Sequence, residues 1–571
     1  MDDPRTPPTA AAAEEPLLPP PQISTGKGVK ETIESILIAF ILAFIFRAFV
    51  VEAFVIPTGS MATTLLGAHM RFTCKECGYR FDVNYPGSGG NEDVPAYAID
   101  SAKNPLTFRA LCPNCRKQVT GGEESGPEIR YGDRILVLKY LYIPWVSSPH
   151  RWDVVVFKTP TSVDGAPAYT TNYIKRLIGT PGDWVMLLDG DVYVCHDAKY
   201  ADLEPEQALG SIPAGAWEIQ DKPKYAQDAL WRIIYDNDYR PLDKERSDGW
   251  RLPWVHGDDD GWDTGDKTSR VFTFNNPTSG GVLRFDPTTV PNYRPQEAPG
   301  GYFTDWLAYD ETMQQTGYNA EYAGGYTTYT VSDFKLAFTY DRKGGDGPLR
   351  AKLTKHYHDF VLELYRDRVK LVHKLPDGDS ADVPAVAAFD PRAARGPIRV
   401  EFENVDYRVT VRLNDKVVFR TTREQYHPNV ADLLVRYQQR HEPMFKNPSV
   451  NIEASAQSAT LSHVSLWRDV YYTPEDTRSR SEITHGRPSN PVKLGKDEYF
   501  VMGDNSAASS DARFWTQAVD IPEENLHVES GRVPGRFMLG RAFFVYWPAG
   551  YRPVKGAPAL VPNFGDMRLI Q

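Results

Sequence analysis

A mainly β, multidomain architecture follows from three features of the 571-residue sequence. Aromatic residues make up 12% of it, with 31 Tyr and 12 Trp beside 43 Gly and 45 Pro, a mixture that suits strands and turns better than helical bundles. Long stretches such as "FVLELYRDRVKLVHKL", "IRVEFENVDYRVTVRLNDKVVFRTT" and "ATLSHVSLWRDVYYT" alternate apolar and polar residues, the period of half-buried strands. A chain of this length also exceeds one ordinary core, so roughly two to four domains are expected. The net charge is −11 with both signs dispersed and no long basic tract, which argues against nucleic acid as a partner.

The elements follow in chain order. Residues 1–30, with "TPPTAAAAEEPLLPPPQ", are low in complexity and read as a disordered tail. From Ile33 to Val51 the chain reads "IESILIAFILAFIFRAFVV", interrupted only by Glu34 and Arg47 near its ends. A spanning helix needs ~20 residues, so a transmembrane helix is expected over 31–54. A cleavable signal peptide is disfavoured by the late start and by the lack of an A-x-A-like site directly after the run. Lys27 and Lys30 precede it and Arg47, Arg71 and Lys75 follow, so charge gives little guide to orientation.

Four of the five cysteines form two CxxC pairs, Cys74/Cys77 and Cys112/Cys115. Such spacing suits a metal site, while two disulfides remain open in an oxidising compartment. Cys195 reads as a small buried hydrophobe. Farther along, "NVDYRVTVRLNDKVVF" predicts two strands around an Asn-Asp turn. The acidic runs from His256 to Lys267 and from Leu375 to Asp382 contain calcium-ligand types without the EF-hand spacing, and read as solvated loops.

One short segment carries the chemistry. "VIPTGSMATTLL", Val55 to Leu66, follows the apolar run and holds Ser60. That serine is either a local cap or a nucleophile. A serine hydroxyl needs a base, and His69, His150 and His196 are scattered. A neutral lysine is the other common base, but a free one has a pKa near 10.4 and must be desolvated to lose its proton near neutrality. "NYIKRLIGTPGD", Asn172 to Asp183, offers Lys175 inside an apolar strand-like run. On a strand Lys175 and Arg176 point to opposite faces.

Taken in order, "IPTGSM", "YGDRILVLKY", "RWDVVVFK", "NYIKRLIGTPGD" and "YFVMGDNSAASSDARFW" resemble the successive boxes of bacterial type I signal peptidase, over roughly residues 33–67, 129–196 and 497–550. The resemblance implies a β-rich catalytic core of the signal-peptidase/LexA-like kind, and a membrane-bound Ser–Lys endopeptidase that removes signal peptides from exported preproteins after A-x-A-like sites. It implies Ser60 as nucleophile and Lys175 as general base, with the Ser60 N–H and Thr58 hydroxyl as oxyanion hole. Ser509 is implied to orient the base. Asp504, Asp511, Arg513 and Arg176 become structural polar residues, Asp511 pairing with Arg513. Ile56, Pro57, Met61, Leu65, Tyr173 and Ile174 become the lining of two shallow pockets for small side chains. No cofactor is implied for catalysis. The implied location is the bacterial inner membrane, single-pass, with the tail cytoplasmic, the catalytic domain outside the cytoplasm and the lipid bilayer and signal peptides as partners. The sequence departs from the family pattern at Ser506, where an arginine is usual, at Thr63, where a proline is usual, and at Thr58, where a serine is usual.

Two insertions interrupt this core. Residues 68–128, with Cys74, Cys77, Cys112 and Cys115, resemble a zinc ribbon that would hold a structural zinc. Residues 198–490 resemble a laminin-G or concanavalin-like β-sandwich, a type that binds glycans or proteins. The core segments are then 55–67, 129–197 and 491–571. The rival reading is a membrane-anchored recognition protein whose peptidase core is degenerate. A self-cleaving Ser–Lys repressor is disfavoured by the apolar run and by the lack of a DNA-binding segment.

Overall fold

A computed structural model describes residues 25–85, 107–121, 128–142, 146–160, 168–245, 250–289, 302–310, 313–316, 319–321, 329–375, 380–388, 396–439, 447–473, 475–476, 481–482, 485–522, 525–548, 550 and 563–570. The tail over 1–24 and most of the acidic loop after Leu375 lie outside them. Two units are present, Met1–Glu52 and Ala53–Gln571.

The first unit is a helix, Thr25–Phe49. Its start falls inside the stretch read as a tail, and Val51–Val55 beyond it is a strand, so the span expected over 31–54 needs correction. Among the described residues no helix is long and apolar enough to cross a membrane. Lys30, Glu31 and Glu34 stand on one side and Arg47 on the other, and the stretch between them, 35–46, is uncharged. Within it Ile36, Leu42, Phe44 and Phe46 are each half or more exposed, so apolar surface faces outward all around the helix.

In the second unit, the catalytic-core segments build one sheet. Its strands run in the order Val51–Val55 (here from Ala53 on), Arg134–Leu138, Met538–Trp547, Val154–Lys158, Asn172–Gly179, Glu498–Met502 and Val533–Pro534. Val155 lies opposite Lys175, and Met502 opposite Arg176. Both faces of Asn172–Gly179 are covered from Ile174 onward, so Lys175 and Arg176 are both buried although they point to opposite sides. The hairpin Trp184–Leu188/Asp191–Cys195 turns through Asp189 and Gly190, both at positive φ, and lays Cys195 opposite Trp184 in a core.

Residues 68–131 leave and re-enter this core through a narrow stem. The Asp133 N–H donates to Leu66 O at 2.9 Å, and the Leu66 N–H donates to Asp133 Oδ2 at 3.1 Å. Gly67 and Gly132 flank that junction; a Cβ on Gly132 would sit 1.8 Å from Ile56 O, and one on Gly67 2.4 Å from the Thr58 carbonyl carbon. Beyond the stem, the hairpins His69–Thr73/Arg80–Asn84 and Thr107–Leu111/Gln118–Gly121 each carry one CxxC pair.

The large insertion forms most of a thirteen-stranded antiparallel sheet whose spine is Val450–Arg468. That strand pairs with Val271–Phe285, Phe334–Gly345, Leu349–Lys355 and Arg232–Asp236. The expected strands around Asn414-Asp415 are Arg408–Leu413 and Lys416–Arg420, with both turn residues at positive φ. A third strand, Ile398–Val405, precedes them through a second such turn at Asp406-Tyr407 that composition did not announce. Trp254, Trp262, Phe272 and Phe285 are buried in one core. In the acidic run after His256, the Asp260, Asp263 and Asp266 carboxylates accept backbone N–H groups of their own turns.

A buried charge cluster ties insertion to core. Lys222 pairs with Asp406 and, at 2.8 Å, with Asp469; Lys355 pairs with Asp333 and, at 3.2 Å, with Asp191 of the core hairpin. Burial pushes each ammonium down, yet the facing carboxylates hold both well above the usual lysine value. The Gly132→Ala substitution is expected to lower stability by about 1–3 kcal/mol through overpacking of the stem, read as a fall in thermal midpoint of the full chain.

Candidate active site

Ser60 sits in a short 3-10 turn, Gly59–Met61, closed by the Ala62 N–H donating to Gly59 O at 3.0 Å. Gly59 is required by packing: a Cβ there would lie 2.3 Å from the Tyr309 ring. Lys175 reaches this turn from its strand and donates from Nζ to Ser60 Oγ at 2.8 Å. A second bond goes to Ile174 O at 3.0 Å, and Tyr173 lays its ring 5.0 Å from the nitrogen. The lysine is only 4% exposed. Burial brings its pKa down to about 8, against the opposing pull of Asp511 and Asp504 and with help from Arg513. Such an amine can take a proton from the hydroxyl it touches, which makes Ser60 Oγ able to attack a carbonyl carbon.

The two carboxylates nearest the lysine are each engaged elsewhere. Asp504 accepts Nε and Nη2 of Arg176 at 2.7 Å each, both residues fully buried, while Arg176 Nη1 donates to Trp152 O. Asp511 accepts Nε and Nη2 of Arg513 at 2.8 Å each and the Gly503 N–H at 2.9 Å. Ser506, at the position where the resembled family carries arginine, joins this second pair: its Oγ accepts from Arg513 Nη1 at 2.9 Å and from the Thr473 N–H at 2.9 Å. The odd residue is therefore part of the scaffold.

Thr58 is exposed, and its Oγ1 lies 3.5 Å from Ser60 Oγ. Ser509 is buried, and among the described residues its Oγ has no hydrogen-bond partner, so no bond links it to Lys175 here. It is close nonetheless: a Cβ on Gly503 would stand 2.3 Å from both Ser509 Oγ and Ser60 O. Ile56, Met61, Leu65 and Ile174 pack in one core with Ile135 and Val154, leaving Pro57 exposed and Tyr173 half-buried at the surface. Sequence reading missed Asn505, whose N–H donates to Ser60 O at 3.2 Å and whose Nδ2 donates to Gly59 O at 3.1 Å.

The four paired cysteines converge. Cys74 and Cys115 Sγ are 3.6 Å apart, Cys77 and Cys112 Sγ 3.7 Å, and all four thiols are unbridged and buried. Each CxxC forms the same turn, the Gly78 N–H donating to Cys74 O and the Arg116 N–H to Cys112 O, with Gly78 and Arg116 both at positive φ. All four sulfurs lie within 4.8 Å of one another, a set that can hold a metal ion. Zinc–thiolate bonds of ~2.3 Å imply tetrahedral edges of about 3.8 Å, so the donor set fits. The Arg116 guanidinium stacks 3.9 Å from the Trp306 ring, fastening this cluster to the large insertion.

Residues 116–229 and 409–547 match the family described as signal peptidase, peptidase S26, a class of peptidases. The second segment begins inside the large insertion, and Ser60 lies outside both segments while Lys175, Asp504 and Asp511 lie inside. Signal peptidase I of Rickettsia typhi is 27% identical over 186 residues, covering 33% of this chain and 50% of that protein. Signal peptidase I of Rickettsia prowazekii is 26% identical over 188 residues, covering 33% and 51%. The chain spans about half the length of these relatives. Over the matched segments it is similar to the signal peptidase family, peptidase S26. Among solved structures it is similar to a carbohydrate-binding module from Bacillus subtilis, at 11% identity over 38% of this chain and 95% of that one, TM-score 0.20. The Thermotoga maritima laminarinase catalytic domain matches at 9% identity over 42% and 99%, TM-score 0.22. Overlaps this loose define no shared fold.

Replacing Arg176 by Met would strand the Asp504 carboxylate in the core. It is expected to cost about 3–5 kcal/mol in urea unfolding of the full chain.

Proposed function

We propose that this chain is a membrane-associated signal peptidase I, a serine endopeptidase that removes N-terminal signal peptides from exported preproteins after A-x-A-like sites. The observation that carries the reading is a water-excluded lysine nitrogen 2.8 Å from a serine hydroxyl. In this reading Lys175 Nζ, neutral, takes the Ser60 proton as Oγ adds to the scissile carbonyl. The developing oxyanion is held by the Ser60 N–H and the Thr58 hydroxyl. Lys175 then returns the proton to the leaving amine, and the acyl-enzyme is hydrolysed by a water that the same nitrogen deprotonates. Ser509, buried beside Gly503 with its hydroxyl uncommitted, would orient the lysine by turning that hydroxyl toward Nζ as it changes charge. The Arg176–Asp504 and Arg513–Asp511 pairs keep the surroundings rigid.

The substrate would add as an extended strand along Tyr173–Lys175. On the edge facing Phe500–Met502, strand register reaches only from Gly179 to Arg176, consistent with a peptide continuing that edge. Ile56, Pro57, Met61, Leu65, Tyr173 and Ile174 would shape the neighbouring pockets for small side chains. The outward-facing apolar helix Thr25–Phe49 is best accommodated by a lipid bilayer, here the bacterial inner membrane with the catalytic part outside the cytoplasm. Cys74, Cys77, Cys112 and Cys115 would hold a structural zinc. A four-thiolate shell leaves no open position, so the metal serves the fold and not the reaction.

Full-length protein in detergent should cleave a preprotein at its A-x-A site. Ser60→Ala and Lys175→Ala should each lower the rate on the order of a thousandfold or more while the protein stays folded. Full activity in Ser60→Ala would end the proposal. Because the neutral amine is the active form, kcat/KM should rise with pH on its acid limb, with a midpoint at about 8. Asp511→Asn removes an opposing negative charge and should move that midpoint down. Metal analysis of protein purified under reducing conditions should find about one zinc per chain, lost in Cys74→Ser.

A further inference from the structure

The large insertion reaches into the catalytic turn at two places that the peptidase core does not supply. Arg232, on the strand Arg232–Asp236, is 4% exposed, and its guanidinium donates only to backbone carbonyls among the bonds described. Nη2 bridges Ala62 O at 3.3 Å and Asp504 O at 3.5 Å. The first carbonyl belongs to the turn that carries Ser60. The second belongs to the residue that grips Arg176, next to Lys175. One guanidinium thus spans the two segments whose separation sets the serine–lysine distance.

The second contact comes from the turn Ala308–Asp310. Asp310 Oδ1 accepts from Asn505 Nδ2 at 2.7 Å, and the same amide nitrogen donates to Gly59 O at 3.1 Å. The carboxylate fixes the Asn505 side chain, which in turn holds the turn at the residue preceding Ser60. Beside it Tyr309 closes on Gly59, where no Cβ fits.

The geometry points to Arg232 and Asp310 as positioning residues for the Ser60 turn, making the large insertion an integral part of the active site. This inference rests on the reading of Ser60 and Lys175 given above. Neither residue touches the reacting atoms. Both act through the backbone of 59–62, where displacement by about an ångström is enough to cost ~100-fold in rate.

The test uses the full chain in detergent with a preprotein substrate, counting active sites by the pre-steady-state acylation burst. Arg232→Met and Asp310→Ala should each lower kcat per active site by about tenfold or more, with KM within roughly twofold. Arg232→Lys, which keeps the charge but cannot bridge two carbonyls as a fork, should recover part of the loss. A merely structural role would instead reduce the burst amplitude and leave kcat per site unchanged. That result in Arg232→Met and Asp310→Ala overturns the inference. If Arg232→Met yields no folded protein, Asp310→Ala, at a residue that is itself only partly buried, decides by the same criterion. Ser60→Ala is run alongside: loss of cleavage there with unchanged kcat in the other variants defeats only this inference, whereas retained cleavage defeats the underlying reading.

Discussion

The packing around Ser60 and Lys175 keeps water away from one amine while keeping two nearby carboxylates from recharging it. Asp504 and Asp511 both pull the Lys175 pKa upward, and burial, helped by Arg513, overcomes them. The fold manages this by giving each carboxylate a forked arginine partner of its own, Arg176 and Arg513. A bidentate pair directs its field inward and leaves little for a third party. The strand Asn172–Gly179 therefore has to be covered on both faces, one for the lysine and one for its arginine neighbour. That requirement explains why the sheet is built from segments drawn from both ends of the chain.

The insertions do not hang from this core as independent beads. Asp191 of a core hairpin shares Lys355 with Asp333 of the large sheet, and Lys222 draws Asp406 and Asp469 together. Thr107–Leu111 of the cysteine-bearing segment takes Met313–Thr316 of the large insertion as a neighbouring strand. Asn114, inside the second CxxC, exchanges hydrogen bonds with the backbone of Asp236 and Tyr239. Polar contacts of this kind stabilise only one relative arrangement, because each leaves a buried group unsatisfied if it slips.

Much of this was legible in the sequence, for reasons that can be stated. Lys175 stood out because its segment matches one box of the resembled family; alone, a lysine beside Arg176 in a strand-like run is more often solvated. The CxxC spacing was informative because the same tight turn recurs around each pair. The Asn414-Asp415 turn announced itself through residues that tolerate positive φ. The turn at Asp406-Tyr407 did not, since a tyrosine there is chosen by the core it enters rather than by its backbone. The helix was read correctly as apolar, but its flanking charges shorten the uninterrupted stretch to 35–46 and its end falls before Val51. Arg232, Asp310 and Asn505 were invisible because long-range hydrogen bonds to carbonyls leave no local pattern. Composition cannot say which backbone oxygen a buried arginine will meet.

The stem at Leu66 and Asp133 has a consequence for how such a chain could have arisen. Where a segment departs and returns through adjacent residues joined by their own hydrogen bonds, its length is nearly free of topological constraint, since closing a longer excursion adds entropy only logarithmically. Ancestral loops at that doorway could grow by whole modules without rerouting the sheet beneath. Its threshold glycines, pressed against Ile56 and Thr58, would be the residues least open to drift while the module beyond them diversified.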